Sequence, residues 1–534
     1  MAKFIIVTGG VLSGLGKGIL TASIGNLISK NKKCVTIKCD GYLNVDPGTM
    51  NPVEHGEVFV LDDGTECDMD FGHYERFVGV KAKGSWNLTM GKVFQSILDK
   101  EREGVFLGQT VQFIPHVTNE IKERIHKIVG EEKAELVFIE IGGTIGDLEN
   151  GLYLEAMRQL AWEQKKENVM FVHLSYVPIP FGVNEQKSKP TQMSVKLLNE
   201  IGIQPDVIVC RCSEYLTDKI KKKIGLFCNL PEENVLTGID VKSVYLIPNE
   251  LRKQKFNKII EERLKIKLDC DNCNLFDSLA KKMVVGNEKK LKIGICGKYT
   301  DLGDAYASVV EALKHCSAVL NIGLEIEMID VEKIEKDEKV ENIIGGINGV
   351  IVPGGFGKRG WEGKIEIVKY ARENNIPFLG ICLGLQAAVI EFARNVCNLK
   401  ANSTEMNNNT KEKVITLMDS QKNVVEKGGT MRLGAYEAKI KKDSLVEKLY
   451  NSLIVSERHR HRYEVNPEYH QILEKNGLII SGLSPDGRLV EFIELPKEKH
   501  CYFVATQAHP ELKSKLEKPA PLFYGLVKAC LEKK

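Results

Sequence analysis

The sequence predicts an α/β protein with two successive domains, the first built around a parallel sheet and the second formed by a new βα series. Short apolar runs of strand length alternate with longer stretches of helical character in the first half, as in parallel strands joined by crossover helices. These runs are residues 4–7, 35–38, 136–141, 169–174 and 207–210. A run at residues 291–296 begins a second series of the same kind. A chain of 534 residues is also too long for one hydrophobic core.

A polar segment between the two series predicts a linker. We expect one domain over residues 1–265, the linker over residues 266–288 and the second domain over residues 289–534. Within the linker, residues 275–283 could form a short helix.

Composition and charge exclude several classes of protein. The chain is 43% hydrophobic and 27% charged with a formal net charge of +2, so it has no bulk attraction to nucleic acid or to a membrane. No stretch approaches the ~20 apolar residues of a membrane span. The N-terminal apolar run is too short for a signal peptide. We therefore expect a cytoplasmic protein without nucleic-acid or membrane partners.

Cysteine usage supports the same location. The 14 cysteines are scattered through predicted strands and helices, which is typical of reduced thiols in the cytoplasm. Cys270 and Cys273 form one Cys-x-x-Cys pair in the polar segment. Because the sequence has no second pair, we interpret them as linker residues, with metal or redox use as the less favoured alternative.

The strongest functional motif surrounds Cys382. An apolar strand runs into a Gly-x-Cys-x-Gly turn, and residues 386–397 follow as a predicted helix. This is the sulfur analogue of a nucleophile elbow, in which a side chain projects from a strained strand-to-helix junction. Gly380 and Gly384 permit the tight backbone, and the helix N-terminus behind the sulfur favours the thiolate.

A second motif near the C-terminus supplies partners for this cysteine. A predicted strand leaves His509 and Glu511 two residues apart, on one side of an extended backbone. Cys, His and Glu are the nucleophile, base and orienting group of an activated nucleophile. Most free cysteines are buried small hydrophobes, but the elbow glycines and the His-x-Glu pair favour catalysis. The glycine turn at residues 354–357 could form half of an oxyanion hole, with the Leu383 N–H as the other half. The set alone does not distinguish a peptidase from an amidase.

A glycine-rich loop at residues 9–18 predicts a phosphate site. It follows the first strand and begins a helix, so its N–H groups can face phosphate, and Lys17 adds a positive charge. The loop departs from the standard P-loop, because Gly18 stands where the metal-binding hydroxyl belongs. Ser13 or Thr21 could replace that hydroxyl, or carboxylates could hold the metal alone. The alternative is a tight turn that binds nothing.

Asp70 and Glu140 are the candidate metal ligands of this half. Glu140 ends a predicted strand, and Mg²⁺ takes one or two carboxylates plus phosphate oxygens, so a pair suffices. A structural salt bridge is the alternative for Glu140. The glycine-rich loop at residues 141–149 lies where α/β sheets bind ligands. Residues 187–192 and 219–223 carry cations that could bind phosphate, although a charge run is usually a solvated helix face.

These motifs resemble those of the CTP synthase family. The resemblance covers essentially the whole chain, in order and with similar spacing, whereas the elbow alone would indicate only a class I glutamine amidotransferase. Beyond the glycine loop it rests on residues 41–50, 55–60, 71–77, 140–147, 187–192, 353–357, 380–384 and 458–464.

The resemblance implies a P-loop-like amidoligase domain followed by a class I glutaminase α/β domain. The first would use ATP and Mg²⁺ to phosphorylate O4 of UTP. The second would hydrolyse glutamine through a glutamyl thioester on Cys382. Ammonia would pass through an internal channel and displace the phosphate at C4, giving CTP, ADP, phosphate and glutamate. Activation by GTP, inhibition by CTP, and a homotetramer that can extend into filaments are also implied.

Particular residues follow from the resemblance, motif by motif. Those expected to bind ATP are Ser13, Gly14, Leu15, Gly16, Lys17, Gly18, Lys38, Asp70, Arg211 and Asp240. Those expected to bind UTP or CTP are Ser13, Asp147, Leu148, Glu149, Lys187, Ser188, Lys189, Pro190, Thr191, Gln192 and Lys223. Asp70 and Glu140 would hold Mg²⁺.

The implied glutamine pocket contains Gly355, Leu383, Gln386, Glu405 and Arg462. The Glu405 carboxylate suits the α-ammonium of glutamine and Arg462 suits its carboxylate. Residues 358–363 resemble the lid at which GTP acts, and His55 lies where the ammonia passage narrows.

Two positions depart from the family pattern. Ala508 replaces the usual aromatic residue beside His509, so we expect the triad to be positioned less tightly although no member is lost. The segment after Met406 becomes an asparagine-rich loop at residues 407–409, while Glu405 still follows the pattern.

Two other functions remain open from the sequence. The chain could be another amidoligase with the same glutaminase, although residues 187–192 and 41–50 favour a pyrimidine substrate. It could also be an assembly protein that keeps the fold without turnover. The presence of Cys382, His509 and Glu511 together with the phosphate-site residues argues against an inactive enzyme.

Overall fold

The structure is a computed structural model that describes residues 2–50, 56–268, 274–284, 290–298, 303–336, 338–418, 421 and 429–533. The chain folds into two compact units, one made of Met1–Asp46 and Asp70–Val284 and the other of Pro47–Met69 and Val285–Lys534. The units therefore divide the chain differently from the predicted domains at residues 47–69. The bounds of the functional domains stay a prediction.

The N-terminal half alternates strands and helices as the apolar runs predict. Its strands are β1 (Lys3–Gly9), β2 (Cys34–Asp40), β3 (Phe59–Val60), β4 (Glu66–Cys67), β5 (Asn87–Thr89), β6 (Leu136–Ile141), β7 (Val169–Tyr176), β8 (Val207–Cys212) and β9 (Val235–Ile239). Its helices are α1 (Lys17–Ile28), α2 (Asp70–Phe77), α3 (Met90–Arg102), α4 (Thr118–Glu132), α5 (Gly151–Glu163), α6 (Lys189–Glu200), α7 (Asp218–Cys228), α8 (Ile247–Lys253), α9 (Phe256–Leu264) and α10 (Asn274–Lys282). The five strands predicted in this half are confirmed as β1, β2, β6, β7 and β8, and the helix predicted at residues 275–283 is confirmed as α10, which belongs to the first unit.

The first unit is built on one parallel sheet. Among the described residues it has seven strands in the order β5-β2-β6-β1-β7-β8-β9. Its central strands are buried on both faces: Val207 and Val209 of β8 join one apolar cluster, while Ile208 and Cys210 join another. Two-sided burial explains why these strands read as continuous apolar runs. The carboxyl ends of all seven strands meet at one edge of the sheet, where α/β proteins bind ligands.

The C-terminal half forms the main part of the second unit. Its strands are β10 (Lys290–Gly297), β11 (Gly323–Asp330), β12 (Gly349–Val352), β13 (Phe378–Ile381), β14 (Ala401–Ser403), β15 (Glu412–Leu417), β16 (Arg432–Ile440), β17 (Ile454–His461), β18 (Tyr463–Val465), β19 (Ile479–Leu483), β20 (Val490–Glu494) and β21 (Phe503–Thr506). Its helices are α11 (Ala307–Leu320), α12 (Glu332–Glu335), α13 (Val340–Ile344), α14 (Trp361–Glu373), α15 (Leu383–Asn395), α16 (Leu445–Tyr450), α17 (His470–Lys475) and α18 (Pro521–Lys533).

The second unit contains a mixed sheet. Within the described part of the chain its order is β11-β10-β12-β13-β21-β20-β19-β16-β17, parallel from β11 to β21 and antiparallel beyond. Phe378 of β13 and Phe503 of β21 stack at its centre with ring centroids 4.6 Å apart. Helix α15 is buried continuously from Leu383 to Ala393. The sheet and this buried helix give a rigid base to the turn between β13 and α15.

Among the described residues, none of the helices combines the length and apolar character needed to cross a membrane.

Candidate active sites

Cys382 occupies the sharp turn between β13 and α15. Its φ is 54° and its ψ is −103°, a conformation that non-glycine residues rarely adopt. Gly384 lies against the Val352 carbonyl, where an added Cβ would come within 2.0 Å of the oxygen. Strain at an over-determined position is typical of functional turns. The buried sulfur therefore projects from a rigid elbow, as the motif predicts.

His509 and Glu511 lie beside this cysteine at the end of β21. His509 Nδ1 is 2.7 Å from Glu511 Oε1, and Cys382 lies close enough to His509 to raise its pKa. Burial lowers the pKa of His509, but the charges of Glu511 and Cys382 outweigh it and raise that pKa to about 10. This environment favours the protonated imidazole beside the nucleophile.

Two further groups near the sulfur were not singled out from the sequence. Gln507 Nε2 donates to Cys382 Sγ at 3.7 Å, and Sγ lies 3.8 Å from the Arg460 carbonyl oxygen. The His509 backbone N–H donates to the Arg458 carbonyl at 2.7 Å, so β17 holds the base from behind. Both arginines belong to the block at residues 458–464, whose alternation of charged side chains along a strand was the available signal.

The glycine turn predicted as half of an oxyanion hole lies directly against the triad. An added Cβ on Gly354 would be 2.8 Å from His509 Cε1 and 3.7 Å from Cys382 Cβ. Glycine is required there because the backbone approaches the reacting groups so closely. On the other side of Cys382, the Leu383 N–H belongs to the first turn of α15, whose N–H groups have no partner within the helix.

Of the residues expected to bind glutamine, Gly355 and Arg462 line a cavity beside Cys382 and His509. This cavity of about 470 Å³ is lined by Gly355, Cys382, Arg462 and His509, among others. Arg462 donates to Gln421 and, at 2.9 Å, to Thr430 Oγ1.

Glu405 and Gln386, which are also expected to bind glutamine, make hydrogen bonds to nearby backbone groups. Glu405 accepts the Gly357 N–H at 2.7 Å, and burial raises the pKa of its carboxyl group. Gln386 is buried behind the nucleophile and donates to the Tyr463 carbonyl at 3.1 Å.

The cavity wall includes a part of the chain that the sequence did not associate with it. Gly48, Met50, Glu57 and Val58 line the cavity, although they come from the N-terminal half. Ion pairs fix this segment to β17: Arg458 to Asp62 at 2.6 Å and Arg460 to Glu66 at 2.7 Å. Contacts between residues nearly 400 positions apart leave no local pattern, so sequence reasoning missed them.

The segment resembling a GTP lid precedes and begins α14. Gly360 has a φ of 73° at the N-terminus of this helix, and Arg359 pairs with Glu332 at 3.1 Å. Gly363 packs against the Val331 carbonyl, where a Cβ would lie 2.2 Å from the oxygen. His55, together with Cys270 and Cys273, lies outside the described residues.

In the first unit, the glycine loop leads from β1 into α1 as predicted. Gly14 and Gly16 adopt φ values of 73° and 97°, which turn the loop over the helix N-terminus. Ser13 is exposed on this loop and Leu15 is buried beneath it. Lys17 Nζ donates to the Gly143 carbonyl at 2.7 Å, and burial lowers the pKa of this lysine.

The structure explains why residue 18 is a glycine, which the sequence did not reveal. An added Cβ would lie 1.9 Å from Asp70 Oδ1, so the Asp70 carboxylate occupies the space of a side chain at position 18. A P-loop hydroxyl at this position is therefore replaced by a carboxylate from α2. Thr21, the other candidate, is fully buried.

Lys38 lies at the centre of a carboxylate cluster. Its Nζ is 2.7 Å from Asp70 Oδ2, 3.2 Å from Glu140 Oε1 and 3.5 Å from Asp40 Oδ1. Tyr74 donates a hydrogen bond to the other oxygen of Glu140. Burial raises the pKa values of Asp40 and Glu140 despite the nearby lysine.

The cluster fits a divalent cation in charge and in ligand type. Three carboxylates outnumber the ammonium groups of Lys38 and Lys17, and hard oxygen ligands are those that Mg²⁺ prefers. Across the part of the chain that is described, no three His, Cys, Asp or Glu side chains are already arranged to hold a metal ion. A site of one or two carboxylates completed by phosphate oxygens agrees with that finding.

Arg211 and Asp240 meet beside the glycine loop. Arg211 Nε is 2.9 Å from Asp240 Oδ1, and its Nη1 donates to the Gly14 and Leu15 carbonyls at 3.3 and 3.2 Å. Both side chains line a cavity of about 230 Å³ with apolar residues of β9 and α8, which include Ile239 and Leu251. Apolar walls with a few polar side chains are typical of pockets that bind small molecules.

The residues expected to bind a pyrimidine nucleotide fall on three loops, one of which is the glycine loop with Ser13, and on two helices. Asp147 accepts the Thr144 N–H at 2.6 Å, and Leu148 and Glu149 follow in a short 3₁₀ turn. Pro190 stands in the first turn of α6, a position at which its missing N–H costs no hydrogen bond.

Cationic side chains of the same set lie around Glu185. Lys187 Nζ is 2.6 Å from its carboxylate, and the hydrogen bond from Lys187 lowers the pKa of Glu185, with Lys223 of α7 contributing at longer range. Gln192 donates to Ser188 Oγ at 3.0 Å, while Lys189 and Thr191 belong to the first turn of α6.

Known proteins match the chain along its whole length. A family model described as "CTP synthase N-terminus" matches residues 3–266, and one described as "Glutamine amidotransferase class-I" matches residues 301–529. The CTP synthase of Borreliella afzelii is 52% identical over 99% of both chains, and that of Methanococcus maripaludis is 51% identical over 99% of this chain and 100% of its own. A solved structure, the Trypanosoma brucei CTPS glutaminase domain with bound acivicin, is 40% identical over 46% of this chain and 95% of its own, with a TM-score of 0.42. The chain belongs to the CTP synthase family.

Proposed function

We propose that this protein aminates UTP to CTP with ATP, using ammonia that it releases from glutamine. The observation that carries the proposal is the joint presence in one chain of a Cys382–His509–Glu511 set and a glycine loop facing a carboxylate cluster. The first can generate ammonia, and the second can handle a nucleoside triphosphate.

At the glutaminase centre, the Cys382 thiolate attacks the carboxamide carbon of glutamine. The negative oxygen that forms is stabilised by N–H groups of the glycine turn and of Leu383. His509 gives its proton to the departing ammonia, which leaves a glutamyl thioester. His509 then takes a proton from water, and the water attacks the thioester to release glutamate. Glu511 holds the imidazole in the orientation that both steps require.

At the phosphate site, the γ-phosphoryl group of ATP is transferred to O4 of UTP. The phosphorylated oxygen is a good leaving group, so ammonia attacks C4 and displaces phosphate, giving CTP and leaving ADP. Lys17 and the loop N–H groups hold the ATP phosphates. Arg211 and Asp240 flank the cavity that suits the adenine ring.

Asp70 and Glu140 would hold Mg²⁺ in this reaction. When bound, the ion would neutralise phosphate charge and orient the oxygens for transfer. Tyr74 fixes one oxygen of Glu140, so the other oxygen faces the cluster. Lys38 forms ion pairs with both carboxylates and so offsets the repulsion between them.

Binding of UTP is assigned to the loops and helix around residues 147–149 and 187–192, with Lys223. The cationic side chains there suit a triphosphate, and CTP inhibition would act through the same region. GTP activation is assigned to residues 358–363, which precede and begin α14 next to the glycine turn. A homotetramer, able to extend into filaments, and a cytoplasmic location complete the proposal.

The test compares nitrogen sources. Purified protein is incubated with UTP, ATP, Mg²⁺ and either glutamine or ammonium, and CTP is measured for wild type, Cys382→Ala and Cys397→Ala. The last variant controls for loss of a cysteine away from the elbow. Wild type and Cys397→Ala should form CTP from both sources, and Cys382→Ala from ammonium alone.

One outcome would overturn the proposal. If wild type hydrolyses glutamine but makes no CTP from either nitrogen source, the acceptor is a molecule other than UTP.

A further inference from the structure

A buried polar seam joins the sheet of the first unit to helix α6. Strand β7 presents His173 and Ser175, two residues apart and so on one face, to α6. Opposite them lie Ser194 and Thr191, three residues apart on the helix. Side chains between a parallel sheet and its covering helix are normally apolar. The polar character of this contact therefore needs an explanation.

Every polar atom of the seam has a partner. Thr8 Oγ1 lies 2.9 Å from His173 Nδ1, and His173 Nε2 lies 2.7 Å from Ser194 Oγ. In the second pair of side chains between β7 and α6, Ser175 Oγ donates to Thr191 Oγ1 at 3.1 Å. Thr191 Oγ1 in turn donates to a backbone carbonyl of β7 at 3.0 Å. All five residues are at most 3% exposed. A fully paired buried network specifies one register of the elements that it joins.

The imidazole in the seam stays neutral. Burial, with a smaller contribution from the charge of Lys17, lowers the pKa of His173 to about 3. A neutral ring has one N–H donor and one acceptor nitrogen, which matches its two hydroxyl neighbours. His173 has no exposed surface, so it cannot touch a substrate. Any effect of His173 on substrate binding must therefore act through Thr8 and Ser194, the residues to which its ring is hydrogen-bonded.

The seam also fixes the start of the glycine loop. Gly10 follows β1, and its N–H donates to the Leu174 carbonyl at 2.9 Å. An added Cβ on Gly10 would lie 1.6 Å from Ser194 Oγ and 2.9 Å from His173 Nε2. The loop, β7 and α6 thus meet at one point with no space for a side chain. A shift of α6 along its axis would break the contact with His173 and press Ser194 against Gly10.

We propose that the Thr8–His173–Ser194 chain is a positioning element that holds α6 in register with the glycine loop and so determines how well UTP binds. The segment at residues 187–192 runs into the first turn of α6, one turn from Ser194. A change in register of the helix would move these side chains relative to the loop that holds the ATP phosphates. The inference rests on the proposed UTP site and names the buried residues that set its geometry.

The first test removes one hydroxyl. Ser194→Ala is compared with Asn199→Ala, which replaces an exposed polar residue on the same helix. KM for UTP, KM for ATP and kcat are measured with ammonium as nitrogen donor, and glutamine hydrolysis is followed separately. Ser194→Ala should raise KM for UTP about tenfold, the order expected for one unpaired buried group. KM for ATP and glutamine hydrolysis should stay near wild type, and Asn199→Ala should change none of these.

A second pair of variants separates polarity from packing. His173→Gln keeps a side chain that can hydrogen-bond within the seam, whereas His173→Leu fills the space without a polar atom. The glutamine variant should keep KM for UTP closer to wild type than the leucine variant does. Because the imidazole is neutral, the effect of Ser194→Ala should also be constant from about pH 6 to 9.

Several results would overturn the inference. They are an unchanged KM for UTP in Ser194→Ala, equal rises in KM for both nucleotides with a lower melting temperature, or better function in His173→Leu than in His173→Gln. If wild type forms no CTP from ammonium, the proposed function itself fails and the inference falls with it. A wild type that forms CTP with seam variants that match it contradicts the inference alone.

Discussion

The two candidate centres differ in how complete they are without ligands. At Cys382 the proposed nucleophile, base and orienting group lie together, with a hydrogen bond between His509 and Glu511, and the cysteine occupies a strained elbow. At Lys38 three carboxylates surround one ammonium group, and burial raises the pKa values of two of them. The first set is held together by its own side chains, whereas burial of the carboxyl groups in the second is unfavourable to their charged forms and suits a site that binds a cation. The comparison teaches that a set of side chains ordered by its own hydrogen bonds can be recognised without a ligand, whereas a cluster of buried carboxylates around a lysine is explained by the charged ligand that it is proposed to bind.

The largest expected effect comes from removing the cation of the glycine loop. Lys17→Met should lower CTP formation from either nitrogen source by about 10³-fold, because phosphate charge loses a direct partner. Glutamine hydrolysis should change little, since Cys382 and its partners lie in the other unit. Steady-state assays of both reactions measure the split, with Lys196→Met on the exposed side of α6 as control. Equal losses in both reactions would contradict the division of labour.

The mirror experiment concerns the orienting group of the triad. Glu511→Gln should lower kcat for glutamine by about 10²-fold or more and leave ammonium-dependent synthesis intact. It should also change the pH profile. Because Glu511, together with Cys382, raises the pKa of His509 to about 10, wild-type activity should be lost as pH rises through that value and His509 loses its proton. In the variant this loss should begin at lower pH. A basic limb in the same place for both proteins would show that Glu511 does not set the His509 pKa.

A smaller effect is expected from filling the space that Asp70 occupies. Gly18→Ala introduces a Cβ within 1.9 Å of Asp70 Oδ1, so the carboxylate must move away from the loop. We expect about a tenfold increase in the Mg²⁺ concentration required for ATP binding and for synthesis. Gly130→Ala is the matched control, because no atom of the described residues lies within 4 Å of its added Cβ. An unchanged Mg²⁺ requirement in Gly18→Ala would show that Asp70 is not a metal ligand.

The smallest effect is expected from one hydroxyl group. Tyr74→Phe removes the donor that fixes one oxygen of Glu140 while keeping the buried ring. The Mg²⁺ requirement should rise only a few-fold, since Lys38 still holds the other oxygen. A titration of Mg²⁺-dependent ATP binding, compared with turnover, distinguishes a shifted metal site from general loss of stability. If Tyr74→Phe matches wild type in both ATP binding and turnover, the Tyr74 hydroxyl does not affect the metal site and the residue serves only in packing.

Much of the fold could be predicted because its signals are local. Five strands of the first sheet were readable as apolar runs, since two-sided burial demands apolar residues at consecutive positions. Cys382 was readable because an elbow compresses strand, glycines and nucleophile into a few residues. His509 and Glu511 were readable because they lie two residues apart.

The rest depends on distant contacts. The reason for Gly18 is the Asp70 carboxylate, more than fifty residues later, and the reason for Gly10 is Ser194. The packing of residues 47–69 in the second unit rests on ion pairs such as Arg458 to Asp62. Charged residues at single positions are usually solvated, so nothing in the sequence marks which of them are paired.

One measurement tests the central claim that the two centres carry out consecutive halves of one reaction. Wild type is supplied with UTP, ATP, Mg²⁺ and glutamine labelled with ¹⁵N in its amide group, in the presence of unlabelled ammonium. The account predicts that the exocyclic amine of CTP carries mainly ¹⁵N, and that Cys382→Ala forms only unlabelled CTP. CTP that is unlabelled in wild type, while labelled glutamine is hydrolysed, would contradict it.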